Sequence, residues 1–217
     1  MLNTLVVKAL GCQPYKGVWS QMREFTDQRT HNTADELWLL EHPPVYTLGQ
    51  AGKEAHILDA CDIEVVHSDR GGQVTYHGPG QLVGYLLVDI KRRQIGVKQL
   101  VSQIEQALVG LLQSLDIDAV ADPAAHGVYV SGRKIAALGL RVRKNCTYHG
   151  FSLNVDMDLE PFTRINPCGF AGLEVTDIVS EGGNFKVQSI QDRVVGHVQD
   201  VFGYTAPLHP KKNIAVS

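Results

Sequence analysis

The chain predicts one domain of mixed α/β (α+β) class, built on a mixed β-sheet. Three observations carry that expectation. Strand-like and helix-like runs intermix without strict βαβ alternation. No repeat, low-complexity tract or composition shift marks a linker within the 217 residues. With 44 % apolar and 20 % charged residues, the chain has the balance of a globular protein that buries a sizeable core.

Taken in order, Tyr15, Val18, Trp19, Met22 and Phe25 recur at helical spacing and predict a helix over about 14–30. Residues 36–41 (ELWLLE) read as a buried strand, stopped by His42-Pro43-Pro44, and 45–49 as a short strand entering a loop. Apolar runs at 63–66 and from Leu82 to Ile90 flank a glycine-rich loop. Val97, Leu100, Val101, Ile104, Leu108, Leu111, Leu112 and Leu115 form one face of a helix over 97–115, with Gln103, Glu105, Gln106 and Gln113 mostly off that face. Segments 127–130, 134–143 and 147–155, with turns at Ser131-Gly132-Arg133 and Lys144-Asn145-Cys146, form a three-stranded meander. A last amphipathic helix includes Val194, Val195, Val198, Val201 and Phe202, and a frayed tail is expected over 207–217.

Lys plus Arg is 20 and Asp plus Glu 23, a net charge of −3, so a global nucleic-acid footprint is absent. No apolar run approaches the roughly 20 residues needed to cross a bilayer. The N-terminus lacks a basic, apolar and small-residue sequence of regions, and the expectation is a cytoplasmic protein. Cys12, Cys61, Cys146 and Cys168 form no CxxC pair, and no HxH or HExxH spacing supports a metal role. Basic clusters at Lys91-Arg92-Arg93 with Lys98, at Arg133-Lys134, and at Arg141 with Arg143-Lys144 are either solvated turns and edges or a landing surface for an acidic partner.

The glycine-rich segment RGGQVTYHGPGQ (70–81) is the most informative stretch. Glycine lets a backbone take positive φ and approach a ligand, but the spacing fits neither GxGxxG nor GxxxxGK[ST]. Glycine count alone leaves a binding loop and a bulged hairpin turn equally open. Cys168, between Pro167 and Gly169, sits in a shaped loop, the kind of segment where function concentrates. A nucleophilic thiol needs its thiolate favoured by a nearby cation. Lys134, followed by Ile135-Ala136-Ala137-Leu138, is a candidate, although a solvent-facing hairpin end explains it slightly better from sequence alone. Tyr76-His77-Gly78 and Tyr148-His149-Gly150 repeat one triplet beside candidate loops, and the roles of His77 and His149 stay open.

Taken together, RGGQVTYHGPGQ (70–81), SGRKIAALGLRVR (131–143), TYHGFSLNV (147–155), RINPCGFAG (164–172) and EHPPVYTLGQAGK (41–53) resemble the lipoyl(octanoyl) transferases of bacterial lipoate biosynthesis, over nearly the whole chain. The resemblance implies a single catalytic domain of the biotin/lipoate protein ligase type, with helices around its sheet. It implies transfer of octanoyl from acyl carrier protein to a lysine of lipoyl domains of 2-oxoacid dehydrogenases and of the glycine cleavage H protein, without a cofactor. Carried over by motif, Cys168 is the acyl-thioester nucleophile and Lys134 its proton partner. Arg70, Gly71, Gly72, Gln73, Val74, Thr75, Tyr76 and His77, with Ala137, Leu138, Gly139, Gly150, Phe151 and Ser152, would line the acyl site. Backbone N–H groups near Gly72 or Gly150 would serve the oxyanion. The rival readings are an ATP-dependent ligase on the same fold, a cysteine thioesterase and a non-catalytic binding module.

Overall fold

The computed structural model describes residues 3–208, apart from the side chains of Cys168 and of residues 206–208. Along the chain run β1 (Thr4–Cys12), α1 (Tyr15–Gln28), β2 (Asp35–Glu41), β3 (Val45–Leu48), β4 (Glu64–His67), β5 (Val74–His77) and β6 (Gln81–Leu87). There follow α2 (Val97–Gln113), β7 (Ala119–Ala121), β8 (Val128–Val130), β9 (Arg133–Arg143), β10 (Cys146–Asn154), α3 (Val187–Phe202) and β11 (Thr205–Leu208). Among the described residues an eight-stranded sheet has the order β11-β1-β2-β6-β10-β9-β8-β7, and a three-stranded sheet the order β4-β3-β5. Both are mixed: β1 is parallel to β2 and β11, β3 is parallel to β4, and the other pairs are antiparallel.

The two-residue period of β2 explains the layers. Leu37 and Leu39 point to one face, where Leu100, Ile104 and Leu108 of α2 and Ile190, Val194 and Val198 of α3 cover them. Trp38 and Leu40 point to the other, against Val18 and Met22 of α1. A strand buried on both faces reads as a continuous apolar run, as residues 36–41 do. The smaller sheet closes over Met157, Phe162 and Ile165. Each fully buried Val, Leu or Met side chain contributes roughly 1.5–3 kcal/mol relative to exposure.

The mixed sheet, the helices and the meander match the expected class. Four strands were not anticipated. β1 lies in the stretch considered only as a failed leader; β7 has three residues; and β11 begins at Thr205 and runs into the expected tail, pairing Thr205 with Thr4 and Leu208 with Val6. The rest of that tail, 209–217, lies outside the described residues. The glycine-rich segment holds the fourth, β5, at its centre, so it is a loop, a strand and a second turn rather than one loop.

Candidate active site

Between the two sheets and α2 lies a cavity of about 340 Å³. Arg70, Gly71, Gly72, Gln73, Val74, Thr75, His77, Ala137, Leu138, Gly139, Gly150, Phe151 and Ser152 all line it, so the structure gathers these sequence-predicted residues from three separate motifs. Tyr76 is the exception. Strand alternation sends its ring to the opposite side of β5, between Tyr46 and Phe162 with centroids 5.5 Å from each, where it is core. Val83, Leu140, Val97 and Val101 extend the apolar wall.

Lys134 is 4 % exposed and lines this cavity rather than facing solvent. The reason is local. β9 pairs with β10 only as far as Ala136, and its pairing with β8 is interrupted by a bulge between Val128 and Tyr129. The Lys134 backbone instead bonds residues 174–176, its N–H donating to Glu174 O at 2.9 Å and its carbonyl accepting from Thr176 N at 3.0 Å. A bulge of this kind re-aims a side chain. The amine then donates to His126 O at 3.3 Å and lies 5.1 Å from the Tyr129 ring centroid.

The backbone of Cys168 forms a 3₁₀ turn, Pro167–Gly169, after Asn166 N donates to His56 O at 2.8 Å. Its side chain lies outside the described residues. The neighbours of the turn are definite: Pro167 and Lys134 line the same small cavity, with Thr75 and Ser152, and Thr75, Lys134 and Ser152 also line the large one. Phe170, 53 % exposed, stands at the rim of the large cavity. Cys12 and Cys61 are exposed, and Cys146 is buried with its thiol pushed up by burial.

The floor is a buried hydrogen-bonded network that sequence reasoning saw only in part. Arg70, 8 % exposed, donates Nε to Thr47 Oγ1 at 3.0 Å and Nη1 to Gly71 O at 2.9 Å. His77 donates Nδ1–H to Gln81 Oε1 at 2.7 Å, and Gln81 Nε2 donates to Asn154 Oδ1 at 2.9 Å. His42 donates Nδ1–H to Gln13 O at 2.6 Å, so its Nε2 accepts from Tyr85 OH at 2.7 Å. Tyr15 stacks on His77 and His149, with centroids 6.0 and 6.4 Å away. Burial pushes His42 down to about 4; burial, then the charge of neighbouring His42, pushes His77 down to about 3. Both rings are therefore neutral at pH 7.

His149 holds φ at +60°, which a non-glycine residue adopts only under tertiary constraint. Its Nε2–H donates to Asp69 Oδ1 at 2.9 Å, and its buried Nδ1 has no hydrogen-bond partner among the described residues. Burial lowers the His149 pKa against the pull of Asp69. Burial raises Asp69, but bonds from His149, Tyr148 and Trp19 outweigh it and hold the carboxylate down to about 2. Tyr15, Tyr85, His42 and His126 escaped the sequence reading as site residues. Tyr15 counted as helix core, and His42 was visible only as part of a strand stop.

The basic clusters divide. Arg92 donates to Asp35 Oδ1 at 2.5 Å, and Arg93 bonds Phe202 O and covers the Tyr204 ring, so this cluster holds the fold together. Arg141 reaches Gln50 Oε1 at 2.6 Å, while Arg143 and Lys144 share Asp27 at 2.9 and 3.0 Å on an exposed strand end. Gly71 N–H donates to Leu140 O at 2.9 Å, and Gly150 is paired to both Gly139 and Tyr85, so the backbone at both glycines is engaged within the fold.

This architecture, with a cavity between a large mixed sheet and a small one, is the fold of the lipoate-protein ligases. A bi-partite lipoate protein ligase from Thermoplasma acidophilum superposes with a TM-score of 0.74 at 14 % identity, over 92 % of this chain and 84 % of that one. The chain belongs to the lipoyl protein ligase A/B catalytic domain family, which matches residues 14–199. An octanoyltransferase of Shewanella sp. (strain ANA-3) is 54 % identical over 207 residues, 95 % of each chain. One of Vibrio atlanticus (strain LGP32) is 51 % identical over 204 residues, 94 % of this chain and 93 % of the relative. No helix among the described residues is long and apolar enough to cross a membrane.

Proposed function

We propose that this chain is an acyltransferase of cytoplasmic protein lipoylation, moving an octanoyl group from acyl carrier protein to a lysine of lipoyl domains and of the glycine cleavage H protein. The Cys168 thiolate attacks the carrier thioester, and the carrier thiol leaves with a proton from the Lys134 ammonium. The acceptor amine then attacks the enzyme thioester, Cys168 departs as thiolate, and the amine's proton passes to Lys134. Thioester exchange retains the reactivity of the acyl bond until the amine arrives, so no nucleotide is needed. The observation that carries this reading is a buried lysine where the large cavity meets the turn holding Cys168.

The cavity's volume lies within the range of small-molecule sites, about 300–1,000 Å³, and Val74, Leu138, Leu140 and Phe151 offer an apolar slot for the chain. Arg141 with Arg143-Lys144, three cations beside the single carboxylate of Asp27 on an exposed strand end, supports a basic surface for acidic carrier and acceptor domains better than Arg92 and Arg93, which are engaged in the fold. Octanoyl carrier protein plus a lipoyl domain should give the octanoyl-lysine amide without ATP. Amide formed only with ATP and free octanoate would assign the chain to the ligases instead.

A further inference from the structure

A buried carboxylate outside the reaction just set out lies two hydrogen bonds from its central amine. Glu105 is on α2, predicted to sit off the helix's apolar face, yet it is 6 % exposed. A carboxylate taken out of water must have its oxygens occupied. Its Oε1 accepts from Gly127 N–H at 3.0 Å and lies 3.2 Å from His126 Nδ1. The segment between β7 and β8 that it grips is the one whose His126 carbonyl accepts from Lys134 Nζ. Gly127, with φ +149°, is required between them. A Cβ there would stand 2.9 Å from both the Ala136 carbonyl oxygen and Lys134 Cε, and 3.1 Å from Nζ.

We propose that Glu105 is a positioning residue for Lys134, fixing residues 126–127 so that the His126 carbonyl holds the amine beside the turn that carries Cys168. This rests on the role given to Lys134 above. The relay has a chemical use. A carboxylate bonded directly to the amine would favour its ammonium form, whereas a neutral carbonyl accepts an N–H from ammonium and free amine alike. The anchor therefore persists while Lys134 gains and loses a proton.

The test measures octanoyl transfer from octanoyl-acyl carrier protein to a lipoyl domain by the full chain. Glu105→Leu should lower kcat about tenfold to a hundredfold, as expected for a displaced catalytic group, with KM for the carrier unchanged. Glu105→Gln keeps an oxygen for Gly127 N–H and should restore most of the rate. Gly127→Ala leaves Glu105 in place but pushes the 126–127 peptide away from the Ala136 carbonyl and the amine; where it melts cooperatively it should lower kcat in the same way, and it carries the test if Glu105→Leu does not fold. A cooperatively melting Glu105→Leu variant, or Gly127→Ala, with wild-type kcat overturns the proposal. Lys134→Ala separates the two levels: wild-type kcat there removes the role of Lys134 itself, whereas loss there beside an unaffected Glu105→Leu removes only that of Glu105.

Discussion

Cys168 and Lys134 were legible as residues because each is locally out of place. One is a thiol between a proline and a glycine; the other is a charge leading an apolar strand. What the sequence could not show is which way the lysine points, since a bulge and the 174–176 segment decide that. Cys168→Ser should reduce transfer on the order of 10³-fold or more, because the thioester cannot form; single-turnover transfer at wild-type rate would contradict it. Lys134→Ala should slow the appearance of enzyme-bound octanoyl and change the pH dependence of that step, measured by quenched-flow and mass analysis. An unchanged pH–rate profile would remove the proton-transfer role. Tyr76 was misplaced because a glycine-rich context hides a strand, and within a strand adjacent residues face opposite ways. Tyr76→Phe should leave acyl transfer intact.

At the scale of elements, periodicity found α1, α2 and the meander to within a few residues, because each buries a regular apolar stripe. It failed for Glu105, since one hidden carboxylate does not alter a helix's stripe. It failed again for the basic run after β6. Asp35, 1 % exposed, accepts from Arg29 at 2.9 Å, Arg92 at 2.5 Å, Asp89 N at 2.9 Å and Tyr204 OH at 3.0 Å, joining β2, the α1 exit and the end of α3. These partners are distant in sequence, so no local pattern announces the cluster. Asp35→Ala should cost about 3–5 kcal/mol in urea unfolding, because it strands two guanidinium groups. The exposed Arg143–Asp27 pair should contribute little to stability, because water and salt screen it. Reversing charge at Arg141 and Arg143 should instead raise KM for the carrier protein at low salt with little loss of stability; an unchanged KM would free this strand end from any docking role.

Across the whole molecule, the site's polar floor should make stability depend on pH. Above about pH 6.5 His42 and His77 are neutral whether the chain is folded or not. As pH falls below that value the unfolded chain takes up protons, while the folded one refuses them until about 4 for His42 and about 3 for His77. Stability is therefore lost on acidification at about 1.4 kcal/mol per pH unit for each histidine. Urea midpoints at pH 7 and pH 5 should differ accordingly; equal midpoints would mean that these rings are not held neutral. The cavity was legible in advance as a set of motifs, because ligand-facing loops concentrate glycine and histidine. Its closure by a second sheet was not, because β3, β4 and β5 are short and pair across distant chain segments. The most direct measurement is intact-mass analysis of the enzyme mixed with octanoyl-acyl carrier protein in the absence of acceptor, followed by peptide mapping. One octanoyl group, on the peptide containing Cys168 and absent from Cys168→Ser, is the expected result. Rapid transfer with no adduct, or with the adduct on another residue, would contradict a thioester at Cys168.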